Sequence, residues 1–169
     1  VEADRDRLVL TAPDGLQGAD VLLEEMGVTV TENAVMAASL ARGRTTIRNA
    51  ASEPHVQELC HAVNAMGGRV EGIGTNVLVV HGRDRLGGAS VTVGPDYVEV
   101  GSFVALAAVT GGELLIRGAR PGDHHRMTRV VLARLGVAVE ERGDDLLVPG
   151  RQRLEVGAGI HGAIPKVDD

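Results

Sequence analysis

The stretch A-A-S-L-A-R-G-R-T-T-I-R-N-A (37–50) returns further along the chain as L-A-A-V-T-G-G-E-L-L-I-R-G-A (106–119). Gly43 falls on Gly112, Ile47 on Ile116, Arg48 on Arg117 and Ala50 on Ala119, a constant offset of 69 residues. The register continues through Gly67 on Gly136, Val70 on Val139 and Glu71 on Glu140. After one slipped position, N-V-L-V-V-H-G (76–82) lies over D-D-L-L-V-P-G (144–150). A match that persists through helix-like and strand-like stretches together marks a repeated supersecondary unit. Backwards, D-G-L-Q-G-A-D-V-L-L (14–23) lies over D-R-L-G-G-A-S-V-T-V (84–93) at an offset of 70. The chain is therefore expected to open on the closing strands of an earlier copy. It starts at Val1 rather than methionine, which adds the expectation of a piece cut from a longer protein.

Each copy alternates between two hydrophobic periods. Leu8–Ala12 and Ala19–Glu24 are short apolar runs divided by Pro13-Asp14-Gly15. There a fixed φ, an Asx-type bond and a residue free to turn left-handed make a turn. Thr29 with Glu32 three residues later reads as a capping box, and Asp96 with Glu99 repeats it. The helices these open, Ala34–Ala41 and Phe103–Val109, are apolar nearly all round, the pattern of a helix buried on every side. Gly43 and Gly111-Gly112 are placed to end them, and Thr45–Ala50 and Glu113–Ala119 then read as strands.

The second helix of each copy differs in kind. In Glu53–Met66 the residues Val56, Leu59, Cys60, Val63 and Met66 follow helical spacing, with Gln57, Glu58, His61 and Asn64 opposite. Asp123–Leu135 does the same through Met127, Val130, Val131 and Leu135. Each copy closes on hairpin-like strands, Arg69–Ile73 to Val77–His81 and Val137–Arg142 to Asp145–Val148. The repeat is thus β-α-β-α-β-β, an α/β (α+β) unit with one helix wholly buried and one half exposed. Gly94-Pro95 is the joint between copies, because the residue before proline is held extended.

At 169 residues the prior is one domain or two small ones. An apolar content of 44% can fill a core, but Tyr97 and Phe103 are its only aromatic residues, so Val, Leu, Ala and Gly must do the packing. The net charge is −6 and no run of basic residues exceeds two, which leaves no nucleic-acid footprint. The scarcity of aromatic rings excludes a single-strand stacking platform as well. One cysteine rules out an internal disulfide and fits a reducing compartment. With no apolar run of about 18 residues and no signal-like leader, a cytoplasmic protein without membrane contact is expected.

A few groups have residue types that could carry chemistry. The amides of Val28–Thr31 open a helix, where backbone donors and the helix dipole favour an anion. The competing reading is that Thr29 caps its own helix. Cys60 sits mid-helix on the apolar face and reads as a core residue, not a nucleophile. Asp123-His124-His125 with His55, and Asp168-Asp169 with His161, contain metal-ligand types. Adjacent helical positions point about 100° apart, however, and make a poor ligand pair, so these read as surface residues. Arg42, Arg44, Arg48, Arg117 and Arg120 flank strands in both copies and read as a solvated rim. Arg120, on a loop, has the best claim to an anion.

T-E-N-A-V-M-A-A-S-L-A (31–41), N-A-A-S-E-P (49–54), N-A-M-G (64–67), G-I-G-T (72–75) and P-D-Y-V-E-V-G-S-F (95–103), in that order, resemble the enolpyruvyl transferase family over nearly the whole chain. The resemblance implies two inside-out α/β barrel domains, each of three β-α-β-α-β-β units, with the backbone crossing between them at Gly94-Pro95. Residues 1–94 would belong to the UDP-sugar side and residues 95–169 to the second domain. It implies transfer of an enolpyruvyl group from phosphoenolpyruvate to a sugar hydroxyl without a cofactor. The branch it most resembles uses UDP-N-acetylglucosamine as acceptor, in peptidoglycan synthesis. The family's mobile-loop cysteine, its phosphate-binding lysine and arginines and its carboxylate base have no match here, and the base is expected shortly after Asp169, in F-P-x-D. The chain is thus expected to be a middle segment, inactive alone, whose partners are the remaining segments of the parent or another copy.

The family's P-S-V-G-A-T-E-N falls on Met26 to Asn33, which implies that Gly27, Val28 and Thr29 help hold the uridine nucleotide. Gly27 replaces its serine and Thr29 its glycine. Tyr97 stands where P-D-R-I-E-A-G-T-F has arginine. The departures at Gly27 and Thr29 bear on the identity of the acceptor. Two alternatives stay open: a relative acting on shikimate phosphate, where a serine-rich helix start is expected in place of T-V-T-E-N (29–33), and a non-catalytic binding or scaffold module of the same fold.

Overall fold

The computed structural model describes residues 2–155, with the backbone alone for Glu2, Ala3, Asp123 and His124. The chain divides into two compact bodies, residues 1–92 and 93–169.

In the first body β1 (Glu2–Asp4) and β2 (Arg7–Val9) form a small antiparallel hairpin of their own. The expected turn follows: Gly15 N donates to Ala12 O at 3.0 Å, with Gly15 at φ +74. Then come β3 (Asp20–Leu22), α1 (Val28–Ser39), β4 (Arg44–Arg48), α2 (Pro54–Ala65), β5 (Arg69–Glu71) and β6 (Val77–His81). Their four-stranded sheet has the order β3-β4-β6-β5. Only β3 and β4 run parallel, Val21 opposite Ile47, which requires a crossover such as α1 between them. Ala19–Glu24 is therefore not a closing strand of an earlier copy. Its central residues make the first strand of this copy, because a parallel partner is reached only by passing over the helix. With β3 included, the first copy is a complete β-α-β-α-β-β unit.

The core of this body gathers Val35, Ile47, Val56, Cys60, Val63, Leu78 and Val80. β4 buries Thr45, Thr46 and Ile47 in succession, so neither face of this central strand is open. In α2 the buried residues Val56, Cys60 and Val63 recur at the spacing read from the sequence.

The second body repeats the order: α3 (Tyr97–Thr110), β7 (Leu114–Ile116), α4 (Asp123–Arg134), β8 (Glu140–Arg142) and β9 (Asp145–Val148), with an antiparallel sheet β7-β9-β8. One cluster packs Val104, Ala107 and Ala108 of α3 against Val137 and Val148, and another joins Val100, Ala119 and Leu146.

Several expectations are corrected. The counterpart of β3 at 84–93 carries no strand, and residues 85–96 have neither helix nor strand. A three-residue strand exists only by pairing, and Val91 and Val93 lie open to solvent. Ala34–Ala41 and Phe103–Val109 are not buried on every side: Met36, Leu40, Phe103, Leu106 and Val109 are exposed among the described residues. A helix lying on one sheet and one neighbouring helix is covered over part of its circumference only.

Strand ends differ as well. Asn49 at φ 58 and Gly118 at φ 65 occupy the same place in the two copies. A left-handed residue cannot continue an extended ladder, so β4 stops at Arg48 and β7 at Ile116 rather than running on to Ala50 and Ala119. Gly111, at φ 67, closes α3 as a left-handed C-cap. Gly43 does not close α1, which ends at Ser39.

Candidate functional site

The beginning of α1 has an unusual cap. Gly27 is the N-cap, in an extended conformation (φ −110, ψ 142), and no side-chain cap bonds to the amides of the first turn. The first helical bond runs from Thr31 N to Gly27 O at 3.1 Å. The amides of Val28, Thr29 and Val30 are thus left without an intrahelical acceptor. Val28 is half-buried, and Thr29 and Val30 are exposed. Thr29 is therefore not the cap expected from its spacing to Glu32. It lies inside the helix, and its carbonyl accepts a bond from Asn33 Nδ2 at 2.9 Å. Three outward amides at the positive end of a helix dipole form a receptor for an anion.

Thr31, which is wholly buried, joins this turn to the next motif. Its Oγ1 donates to Gly27 O at 2.8 Å and accepts from Ala51 N at 3.0 Å. The T-E-N and N-A-A-S-E-P motifs, separated in sequence, therefore meet at one hydroxyl. Asn49 pins the same loop from the other side, its Nδ2 donating to Leu23 O at 3.0 Å. At the end of the loop Glu53 is the N-cap residue of α2, and its Oε2 is buried without a hydrogen-bond partner among the described residues. A buried carboxylate oxygen left unpaired is open to a donor from outside this segment. Neither Thr31 nor Glu53 stood out in the sequence as a site residue. The only signal was their membership of the two motifs.

The second candidate, Arg120, lies in the other body. Its loop is held at three points. Gly118 N donates to Asp145 Oδ1 at 2.8 Å, Arg120 N donates to Asp144 O at 2.8 Å, and His125 Nε2 lies 3.0 Å from Ala119 O. Arg120 has φ 46 and is exposed. A non-glycine residue in the left-handed region costs of order 1 kcal/mol, and such strain gathers at functional positions. His125, expected on the surface, is instead buried, only 2% exposed, because its ring closes the loop over Ala119. Among the described residues no cluster of three metal-ligating side chains occurs. His161, Asp168 and Asp169 lie outside the described residues.

The rim arginines Arg42, Arg44, Arg48 and Arg117 are exposed. Arg48 is engaged in a two-point pair with Asp20, Nε to Oδ1 at 2.8 Å and Nη2 to Oδ2 at 3.0 Å, which ties β3 to β4. That pairing holds the Asp20 carboxyl below its usual range and raises the Arg48 guanidinium. Cys60 is fully buried, and burial first, then the charge of Glu32, push its thiol up to about 11. A thiol that stays protonated at neutral pH is no nucleophile.

Residues 7–165 match the EPSP synthase (3-phosphoshikimate 1-carboxyvinyltransferase) family. The chain is 50% identical over 154 residues to the UDP-N-acetylglucosamine 1-carboxyvinyltransferase of Treponema denticola, covering 91% of this chain and 36% of that protein. It is 46% identical over 165 residues to the protein of the same name from Borreliella burgdorferi, covering 98% of this chain and 38% of that one. The crystal structure of the enolpyruvyl transferase NikO from Streptomyces tendae matches 83% of this chain and 38% of its own, with a TM-score of 0.67 at 20% identity, a likeness of fold. The chain thus spans little more than a third of the length of the relatives it matches. The repeated helix–strand–helix–hairpin order, the motifs and the match over nearly all residues agree: this chain belongs to the EPSP synthase family, the enolpyruvyl transferases.

Proposed function

We propose that the chain is a segment of a cytoplasmic enolpyruvyl transferase that moves the enolpyruvyl group of phosphoenolpyruvate to UDP-N-acetylglucosamine in peptidoglycan synthesis. The observation that carries this reading is the uncapped start of α1 inside T-V-T-E-N, in a chain 50% and 46% identical to two proteins named for that acceptor. The amides of Val28 and Thr29, with Gly27 before them, take the anionic part of the nucleotide sugar. The departures at this turn are compatible with one another. A Cβ on Gly27 would lie 3.3 Å from Val30 Cγ1, closer than side chains ordinarily come. Where the family writes serine and alanine, this chain writes glycine and valine, so one valine methyl fills the space beside the position a serine Cβ would take.

Residues 1–94 form part of the UDP-sugar domain and residues 95–169 part of the second, with Gly94-Pro95 as the crossing. In support, residues 85–96 carry no regular structure, and each apolar cluster draws on residues of one body alone. Arg120 contributes an anion contact from the second domain. The chain by itself releases no phosphate from phosphoenolpyruvate, because none of its residues corresponds to the family's acid or base and Cys60 is buried and protonated. Its partners are the remaining segments of the parent or another copy.

The family description favours one alternative, 3-phosphoshikimate as acceptor. A phosphate-release assay on the protein in its native length decides between them. Turnover with UDP-N-acetylglucosamine and not with shikimate 3-phosphate is expected. The reverse preference overturns the reading, and turnover with neither, together with no binding of either, leaves the scaffold module in its place.

A further inference from the structure

Resting on the reading of Gly27–Thr29 as part of the UDP-sugar subsite, we infer that Thr31 is the positioning residue that aims the ligand-binding amides of α1. The Gly27 carbonyl accepts two bonds from the same residue, from Thr31 N at 3.1 Å and from Thr31 Oγ1 at 2.8 Å. The Gly27 carbonyl and the Val28 N–H belong to one planar trans peptide, so they point in opposite directions. Holding the carbonyl down the helix with two donors directs the Val28 N–H outward, away from the helix body. Asn33 Nδ2 does the same for the next peptide but one, holding Thr29 O at 2.9 Å and so turning the Val30 N–H outward.

A threonine hydroxyl bonding back to the carbonyl four residues earlier is common in helices and by itself would mean little. Thr31 is distinguished by its third partner. Its Oγ1 accepts from Ala51 N at 3.0 Å, and both residues are fully buried. With the lone pair taken by Ala51, the hydroxyl proton has Gly27 O as its acceptor, and water has no access to compete. The amide-bearing turn is thereby locked to the loop that ends at Glu53, whose buried Oε2 has no donor among the described residues. A ligand contacting both finds their spacing already set.

Ser39 provides the internal control. It makes the same type of bond, Oγ to Val35 O at 2.7 Å, and is also buried, but it sits at the far end of α1. Its hydroxyl has no second partner among the described residues, its carbonyl alone accepting from Arg83 N at 2.9 Å. The experiment uses the protein in its native length, with UDP-N-acetylglucosamine as titrant and co-substrate, and compares Thr31→Val, Thr31→Ser and Ser39→Ala. Thr31→Val keeps the shape and removes the hydroxyl. It is expected to raise KM for UDP-N-acetylglucosamine about tenfold, equivalent to ~1.4 kcal/mol, with kcat and KM for phosphoenolpyruvate little changed. Thr31→Ser restores the wild-type KM. Ser39→Ala lowers Tm without moving KM.

An unchanged KM in Thr31→Val, or an equal rise in Ser39→Ala, overturns the inference while leaving the substrate assignment standing. Failure of the wild-type protein to bind UDP-N-acetylglucosamine overturns both. Should Thr31→Val not fold, amide hydrogen exchange in the wild-type protein decides. Saturation with UDP-N-acetylglucosamine is expected to slow exchange at Val28 and Val30, and unaltered exchange there refutes the aimed amides.

Discussion

Cys60 and Gly82 illustrate how far a single residue's surroundings decide its behaviour. The Cys60 thiol is raised from an ordinary 9.0 to about 11 by burial and then by Glu32. The folded protein therefore keeps this proton where the unfolded chain has lost it. The stabilisation is full below pH about 9 and fades as pH rises toward 11. Denaturant midpoints between those limits are expected to fall more steeply for wild type than for Cys60→Ala. Parallel curves would mean that the thiol is accessible, as would its alkylation in the native protein at neutral pH. Gly82 donates to Gly43 O at 2.9 Å, and a Cβ on it would run into the Ala41 carbonyl. A Cβ on its counterpart in the second copy, Gly150, would have its nearest neighbours at 3.4 Å. Gly82→Ala is expected to cost more than about 2 kcal/mol and Gly150→Ala less than about 1. Equal losses in thermal unfolding would contradict the packing at the end of β6.

At the scale of the element, the two capping signatures part company. Asp96 caps α3, its Oδ1 accepting from Val98 N at 2.8 Å and Glu99 N at 3.1 Å. Thr29, with the same three-residue spacing to a glutamate, caps nothing. Asp96→Ala is expected to destabilise by about 1 kcal/mol, and Thr29→Ala to leave Tm nearly unchanged. A comparable drop in both would restore Thr29 as a cap. Spacing alone could not separate them, because α1 begins earlier than its polar signature implies. The buried Thr31 hydroxyl, tied to Ala51, sets that beginning. A hydrogen bond to a residue twenty positions away leaves no mark on local periodicity.

For the molecule as a whole, each first helix presents an apolar face that the described residues leave open. Val30 and Met36 of α1 with Leu40 at its C-cap are exposed there, as are Phe103, Leu106 and Val109 of α3. Such surface is worth roughly 25 cal/mol per Å² when covered, and contiguous patches on a protein surface mark interaction sites. The chain makes up 36% and 38% of the length of two of its relatives. Sedimentation of the purified chain at micromolar concentration is therefore expected to show association. A compact monomer with cooperative unfolding would show that these faces are stable in water.

The repeat, the order of its elements, the half-buried α2, the burial of Cys60, the turn at Pro13-Asp14-Gly15 and the caps Asp96 and Gly111 were all determined by the sequence itself. Each depends on residues a few positions apart, through helical or strand periodicity, a fixed φ or a left-handed backbone. In α4, by contrast, two residues of the expected buried face, Met127 and Val130, are exposed. The tertiary structure alone decided that Asp20–Leu22 opens the first sheet while its echo at 84–93 forms no strand. It decided as well that His125 turns inward over Ala119, and that Thr31 rather than Thr29 organises the start of α1. Strand membership and buried polar partners are settled between segments distant along the chain. A strand needs a neighbour's free edge and a buried hydroxyl needs both a donor and an acceptor, and only the folded chain brings these together.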